Sequence, residues 1–133
     1  MSSIFTQIIN GDIPSYKVYE TDRFIAILDI NPNTKGHTLC IPKEETNIIF
    51  DMASKDYLDL MQFTYQVAQA IGKTIPCKRV GMAVVGLEVP HVHVHLIPIN
   101  EMHEMTFQTK KQVSPEEMQA IAKAIHDSIL INI

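Results

Sequence analysis

Three histidines in strict alternation carry the chemistry of this sequence: Pro90-His91-Val92-His93-Val94-His95-Leu96-Ile97-Pro98. Residues two apart on a strand share a face. Val92, Val94 and Leu96 would therefore enter a core, while His91, His93 and His95 project from the other side, their rings roughly 6.5 Å apart in succession. Each imidazolium disfavours the next, so such a row keeps neutral, nucleophilic rings available near pH 7. Three uses fit the pattern. One is a polar strand face with no chemistry. Another is a metal site, with Glu101, His103 or Glu104 as a further ligand. His91 and His93 lie at the wrong spacing from Glu101 for the usual metal-barrel pattern, which also needs a late histidine and supporting glycines. The third, and the best fit, is covalent catalysis by histidine attacking phosphorus, which divides one hard displacement into two easier ones.

The elements that must position this row are legible around it. Ile4, Phe5, Ile8 and Ile9 recur at one-turn spacing and predict a short amphipathic helix, stopped by Asn10-Gly11. Lys17 to Glu20 and Phe24 to Leu28 read as strands about a Thr21-Asp22-Arg23 turn. Asn31-Pro32-Asn33 through Gly36 is loop chemistry, and His37 to Ile41 is a third strand ended by Pro42. The longest helix is expected over Ser54 to Lys73, capped by Ser54, with Tyr57, Leu60, Met61, Thr64, Val67, Ala68 and Ile71 as its buried stripe. Arg79 to Val85 and His91 to Pro98 follow as strands. A last helix opens with a capping box of Ser114 and Glu117 around Pro115, and buries Met118, Ile121, Ala122 and Ile125. This pattern predicts an α+β fold: a five-stranded antiparallel sheet with a short N-terminal helix, a long central helix and a C-terminal helix, residues 1–133 forming one domain.

Composition narrows the function. The 133 residues carry 11 Lys and Arg against 15 Asp and Glu, a net charge of −4. An acidic chain is a poor general nucleic-acid binder, because that affinity comes from a basic surface. Mean hydropathy is +0.04, and no apolar run has the length of a membrane span. With no basic-then-apolar leader, and with Cys40 and Cys77 reading as buried free thiols, a cytoplasmic location is expected. Seven Met fit an adaptable core or dimer seam. His126 lies near the end of the last helix, where a cation suits the dipole. His103, Glu101 and Glu104 read as a solvated loop.

His91-Val-His93-Val-His95-Leu-Ile-Pro resembles the signature of the histidine triad (HIT) family. The likeness continues in order through Ser3 to Pro14, Leu28-Asp29-Ile30-Asn31-Pro32, Gly36-His37-Thr38-Leu39 and Ile41-Pro42-Lys43. The resemblance implies nucleotide hydrolases and transferases acting at an α-phosphate, usually as homodimers, and points to the branch that cleaves purine nucleoside phosphoramidates. On that resemblance His93 matches the nucleophile. His91 and His95 orient it and donate to phosphate oxygens, with His37 as an outer partner. Asp29 matches the acceptor for ribose hydroxyls. Ile4, Phe5, Ile8, Ile27, Leu28 and Ile30 match the purine slot, although periodicity alone makes them core.

The sequence also departs from the family pattern. Many members carry Cys-x-x-Cys at the start and a His after Ile-Pro-Lys, which together build a structural zinc site. Ser3, Thr6 and Glu45 stand at those positions, so neither a metal nor another cofactor is expected. Where the family has a Gln and a hydroxyl residue before the triad, this chain has Leu87 and Glu88. Glu88 thus stands where a hydroxyl would assist the leaving group. It either acts as a general acid after partial burial, selects cationic amine leaving groups, or simply faces solvent. The expectation is a phosphoramidase or hydrolase with a nucleotidyl-histidine intermediate, the alternative being a nucleotide-binding or signalling module of the same fold with weak turnover.

Overall fold

The computed structural model describes residues 3–132; Met1, Ser2 and Ile133, the ends of the expected domain, lie outside the described residues. In chain order the elements are α1 (Ile4–Ile9), β1 (Lys17–Glu20), β2 (Phe24–Leu28), β3 (Thr38–Pro42), α2 (Ser54–Thr74), β4 (Arg79–Ala83), β5 (Val94–Ile99) and α3 (Pro115–Ile131). The strands form one antiparallel sheet in the order β1-β2-β3-β5-β4. This is the expected α+β architecture, with β5 between β3 and β4 as the one departure from simple hairpin order.

Both faces of the central strands are covered, and so β2 and β3 are buried along their whole length. Alternation sorts their side chains into two layers. Phe24, Ala26, Leu28, Cys40, Val94 and Leu96 join Leu60, Phe63, Val67 and Ile71 of α2 and Met118, Ala122, Ile125 and Ile129 of α3 in the main core. Ile25, Ile27, Leu39 and Ile41 form the opposite layer under Phe5 of α1. Burying each such side chain contributes about 1.5–3 kcal/mol, and the second layer is the floor on which the histidines stand.

Several sequence expectations need correction. α2 is capped by Ala53 without a side-chain bond, and its buried stripe takes Phe63 and Ala70, while Tyr57, Met61 and Ala68 are only partly buried. In α3 Ser114 Oγ accepts from Glu117 N–H at 3.2 Å, but the Glu117 carboxylate pairs with Lys35 Nζ at 2.7 Å instead of closing a capping box. Ile129 is buried in place of Ile121, which is only partly covered. Cys40 is a buried free thiol, whereas Cys77 is half-buried. The helix continues past His126, whose Nδ1 lies 2.8 Å from the Val18 carbonyl, so that ring ties α3 to β1. His103 lies in a 3-10 turn, Met102–Met105, with its ring 3.3 Å from Glu101 and exposed to solvent.

β5 begins at Val94, not at His91. Its ladder to β3 starts at the Cys40–Val94 pair. Beyond it the Pro42 carbonyl is occupied by the His91 ring at 2.7 Å, and Val92 N–H donates to Thr46 O at 2.7 Å. The inward alternation persists into this segment: Val92 joins the main core. The histidines face the other way, yet they are not exposed, with His91, His93 and His95 at 0%, 7% and 8%.

Candidate active site

The burial of the row has identifiable causes. The Phe5 ring of α1 meets His93 edge-on at 4.9 Å and His91 at 5.8 Å. His93 and His95 stand 4.9 Å apart, His95 and His37 5.2 Å. Phe107 closes the far end with its ring 4.8 Å from His95. It does so with φ at +64°, a left-handed conformation rare for an aromatic residue.

Hydrogen-bond chemistry fixes where the protons sit. His93 Nδ1 lies 2.7 Å from the His91 carbonyl. A carbonyl only accepts, so Nδ1 carries the hydrogen and the neutral ring presents the Nε2 lone pair. His37 Nδ1 accepts from Asn33 N–H at 3.0 Å, so its proton is on Nε2, which donates to His95 Nδ1 at 3.0 Å. His95 is left with Nε2–H as a donor. The row therefore holds one ring with a free lone pair beside one with a free N–H.

Burial keeps these rings neutral. It pushes His37 down to about 3 and His95 to about 4, neighbouring rings adding to the effect. His93 is lowered by the same burial, partly offset by the His91 carbonyl and by Asp29. Asp29 follows β2, and its Oδ1 accepts from Asn31 N–H at 2.8 Å while Oδ2 lies 3.6 Å from His37 Nε2. Burial raises the Asp29 carboxyl above its ordinary value. Asp29, His37 and His95 are close enough to approach one ion together, but the His37–His95 hydrogen bond already uses both facing nitrogens. The more distant metal partners read from sequence, Glu101, His103 and Glu104, do not join this cluster.

The residues matched to a purine slot divide. Phe5 and Ile27 are buried in the layer beneath the histidines, with Ile8 partly covered against them. Ile4 is 45% exposed on α1. Leu28 faces the main core on the opposite side of the sheet. Ile30, 77% exposed, lines a groove of about 970 Å3 between β1 and α3 with Tyr16, Tyr19 and His126. Glu88 is exposed on the loop after β4, so the partial burial that a general acid there requires is absent. Its charge nevertheless reaches both Asp29 and His93.

Sequence reasoning missed four contributors. Ser3 Oγ sits 2.6 Å from His91 Nδ1. Asn33 orients His37 and accepts from Lys110 Nζ at 2.8 Å through Oδ1. Lys110 also lies over the Phe107 ring, 5.2 Å from its centroid. Phe107 and Lys110 lie beyond the recognisable motifs, in a loop whose composition gives no sign of its contacts.

Known proteins resemble this chain in sequence and fold. A model of the HIT domain family matches residues 10–102. An adenosine 5'-monophosphoramidase of Schizosaccharomyces pombe is 35% identical over 132 residues, spanning 97% of this chain and 99% of its own. The crystal structure of a HIT-like protein involved in cell-cycle regulation from Bartonella henselae superposes with a TM-score of 0.83 at 28% identity, covering 96% of each chain. A zinc-bound histidine triad family protein from Mycobacterium smegmatis gives 0.83 at 25% identity, covering 99% of this chain and 96% of the other. With its ordered motifs, its five-stranded sheet and a family model covering residues 10–102, the chain belongs to the HIT domain family.

Proposed function

We propose that this chain is a nucleotide phosphoramidase or hydrolase that acts at the α-phosphate of purine nucleotides through a nucleotidyl-histidine intermediate. The observation that carries it is the His93 ring, neutral, held at Nδ1 by the His91 carbonyl and presenting Nε2 as a nucleophile. The amidase relative at 35% identity supports the same reaction class. Nε2 attacks phosphorus, the bond from phosphorus to the amine breaks, and the amine leaves with a proton from solvent. Water then cleaves the phosphorus–Nε2 bond, releasing the nucleoside monophosphate and restoring the ring. His95 Nε2–H donates to a non-bridging oxygen, stabilised in its tautomer by His37. His91 does not donate to phosphate as expected, because its ring nitrogens are held by the Pro42 carbonyl and Ser3 Oγ; it acts on His93 through its own carbonyl. Asp29 accepts from the ribose hydroxyls, and Phe5, Ile8 and Ile27, with Ile4 at the rim, flank the base. Leu28 contributes its backbone alone, its side chain lying in the main core. A buried Cys40 thiol suits a reducing cytoplasm.

Exposed Leu87 and Glu88, where the family pattern has a Gln and a hydroxyl residue, favour a second reading: a nucleotide-binding or signalling module with weak turnover. Turnover of a fluorogenic adenosine phosphoramidate, with and without chelator, separates the two. The enzyme predicts turnover insensitive to chelator; nucleotide binding without turnover establishes the module, and loss of turnover in chelator establishes a metal enzyme.

A further inference from the structure

At the positions that resemblance assigns to a structural zinc, this chain builds a closed hydrogen-bond cluster. Glu45 Oε1 accepts from Ser3 N–H at 2.8 Å and from the Thr6 hydroxyl at 2.7 Å. Ser3 Oγ caps α1 by accepting from Thr6 N–H at 3.1 Å, and lies 2.6 Å from His91 Nδ1. The opposite nitrogen, His91 Nε2, is 2.7 Å from the Pro42 carbonyl. That carbonyl only accepts, so Nε2 carries a proton, and Nδ1 is hydrogen-bonded to the Ser3 hydroxyl. Two hydroxyls, one carboxylate and an imidazole bonded at both nitrogens are not the sulfur and nitrogen set of a structural zinc site. The metal does not fit here.

The cluster joins three segments that share no strand ladder: the start of α1, the loop after β3, and the approach to β5. Its terminal member is His91, buried at 0% exposure. The carbonyl of the same residue holds His93 Nδ1–H. The Ser3 amide and then the Thr6 hydroxyl hold the Glu45 carboxyl down at about 2, so the anchor stays charged at neutral pH.

We propose that Glu45 and Ser3 are positioning residues: a carboxylate-centred hydrogen-bond clasp, standing at the positions that resemblance assigns to a structural zinc, seats His91 and through its carbonyl aims His93. The kinetic part of this inference rests on the catalytic role of His93 proposed above; the structural part does not.

Ser3→Gly and Ser3→Thr test it. Glycine and threonine serve comparably at a helix N-cap, so the helix end is matched and only threonine supplies a hydroxyl to His91. Ser3→Thr should behave as wild type. Ser3→Gly should lower kcat about tenfold with KM within about twofold, as a misaimed nucleophile does. In 15N spectra of the histidine rings, Ser3→Gly should move His91 Nδ1 toward an unbonded ring nitrogen and release His93 from its single Nδ1–H tautomer. Glu45→Ala should reproduce both changes. Unchanged His91 and His93 ring resonances in folded Ser3→Gly and Glu45→Ala would overturn the clasp, as would a lowered Tm with unaltered kcat. Should the wild-type protein show no turnover, the ring spectra alone decide the clasp, and the failure belongs to the catalytic role of His93.

Discussion

His37 Nε2 lies 3.0 Å from His95 Nδ1, and because Asn33 N–H occupies the other His37 nitrogen, this contact sends its proton toward His95. The arrangement makes His95 a donor and leaves His93 beside it as an acceptor or nucleophile. Two adjacent, chemically identical side chains are thereby given opposite tasks by their partners.

The pH dependence follows from burial. His93 must be neutral to attack, and its pKa is lowered from 6.5. The acid limb of kcat/KM should therefore fall below pH 6.5, with activity lost as His93 protonates. Stability shifts in the same direction. A histidine depressed in the folded state stabilises it above the unfolded value of 6.5 and loses that contribution as pH falls toward the folded value, about 3 for His37 and about 4 for His95. Denaturant midpoints should decline from pH 6.5 toward pH 4. A midpoint that rises as pH falls through this window contradicts the neutral assignment.

Gly36 adopts φ +94°, and a Cβ there would stand 3.0 Å from Ile75 Cγ1 and 3.1 Å from Pro98 Cγ. Gly36→Ala should cost about 1–2 kcal/mol from the left-handed backbone alone. At this chain length that lowers Tm by about 4–7 °C. Since Gly36 adjoins His37, kcat should fall as well. Calorimetry and turnover of the same variant check both.

Glu88 is exposed yet near enough to influence Asp29 and His93. As a charged rim group it should favour leaving amines that carry positive charge. A unit charge a few ångströms away through solvent contributes about 1 kcal/mol, or about a fivefold preference. Glu88→Gln should erase that preference between cationic and neutral leaving groups. Equal preference in both proteins leaves Glu88 a solvent-facing residue.

A homodimer is the proposed assembly. Met82 on β4, Val84, Val85 and Leu87 beyond it, and Leu58 and Tyr65 on the outer face of α2 are all exposed. An edge strand and a helix presenting apolar side chains suit an isologous two-fold seam. Light scattering at micromolar concentration should give twice the 15.0 kDa chain mass; a single-chain mass contradicts it.

Much of the frame was legible because local rules and tertiary packing agree. β1 and β2 have the expected bounds, since a turn separates two short strand-forming runs. β3 begins one residue late, His37 N–H closing a turn onto the Thr34 carbonyl at 3.2 Å, and it takes in Pro42 at its end. The histidine alternation was correctly read, but the lid over it was not. Periodicity describes one element at a time, whereas Phe5 and Phe107 reach the row from distant segments. The same limit hid the Ser3–His91 contact, which spans 88 positions. Leu28 and Ile30 were separated only by the sheet, one facing the main core and the other solvent.

The most direct test of covalent catalysis is to catch the intermediate. Wild-type protein should be mixed with an adenosine phosphoramidate, quenched in alkali to preserve the phosphorus–nitrogen bond, and analysed by peptide mass spectrometry. One nucleotidyl group should appear on His93, and His93→Ala should show none while losing turnover by about 10³-fold or more. A nucleotidyl group on another residue, or substantial turnover in folded His93→Ala, would contradict the account.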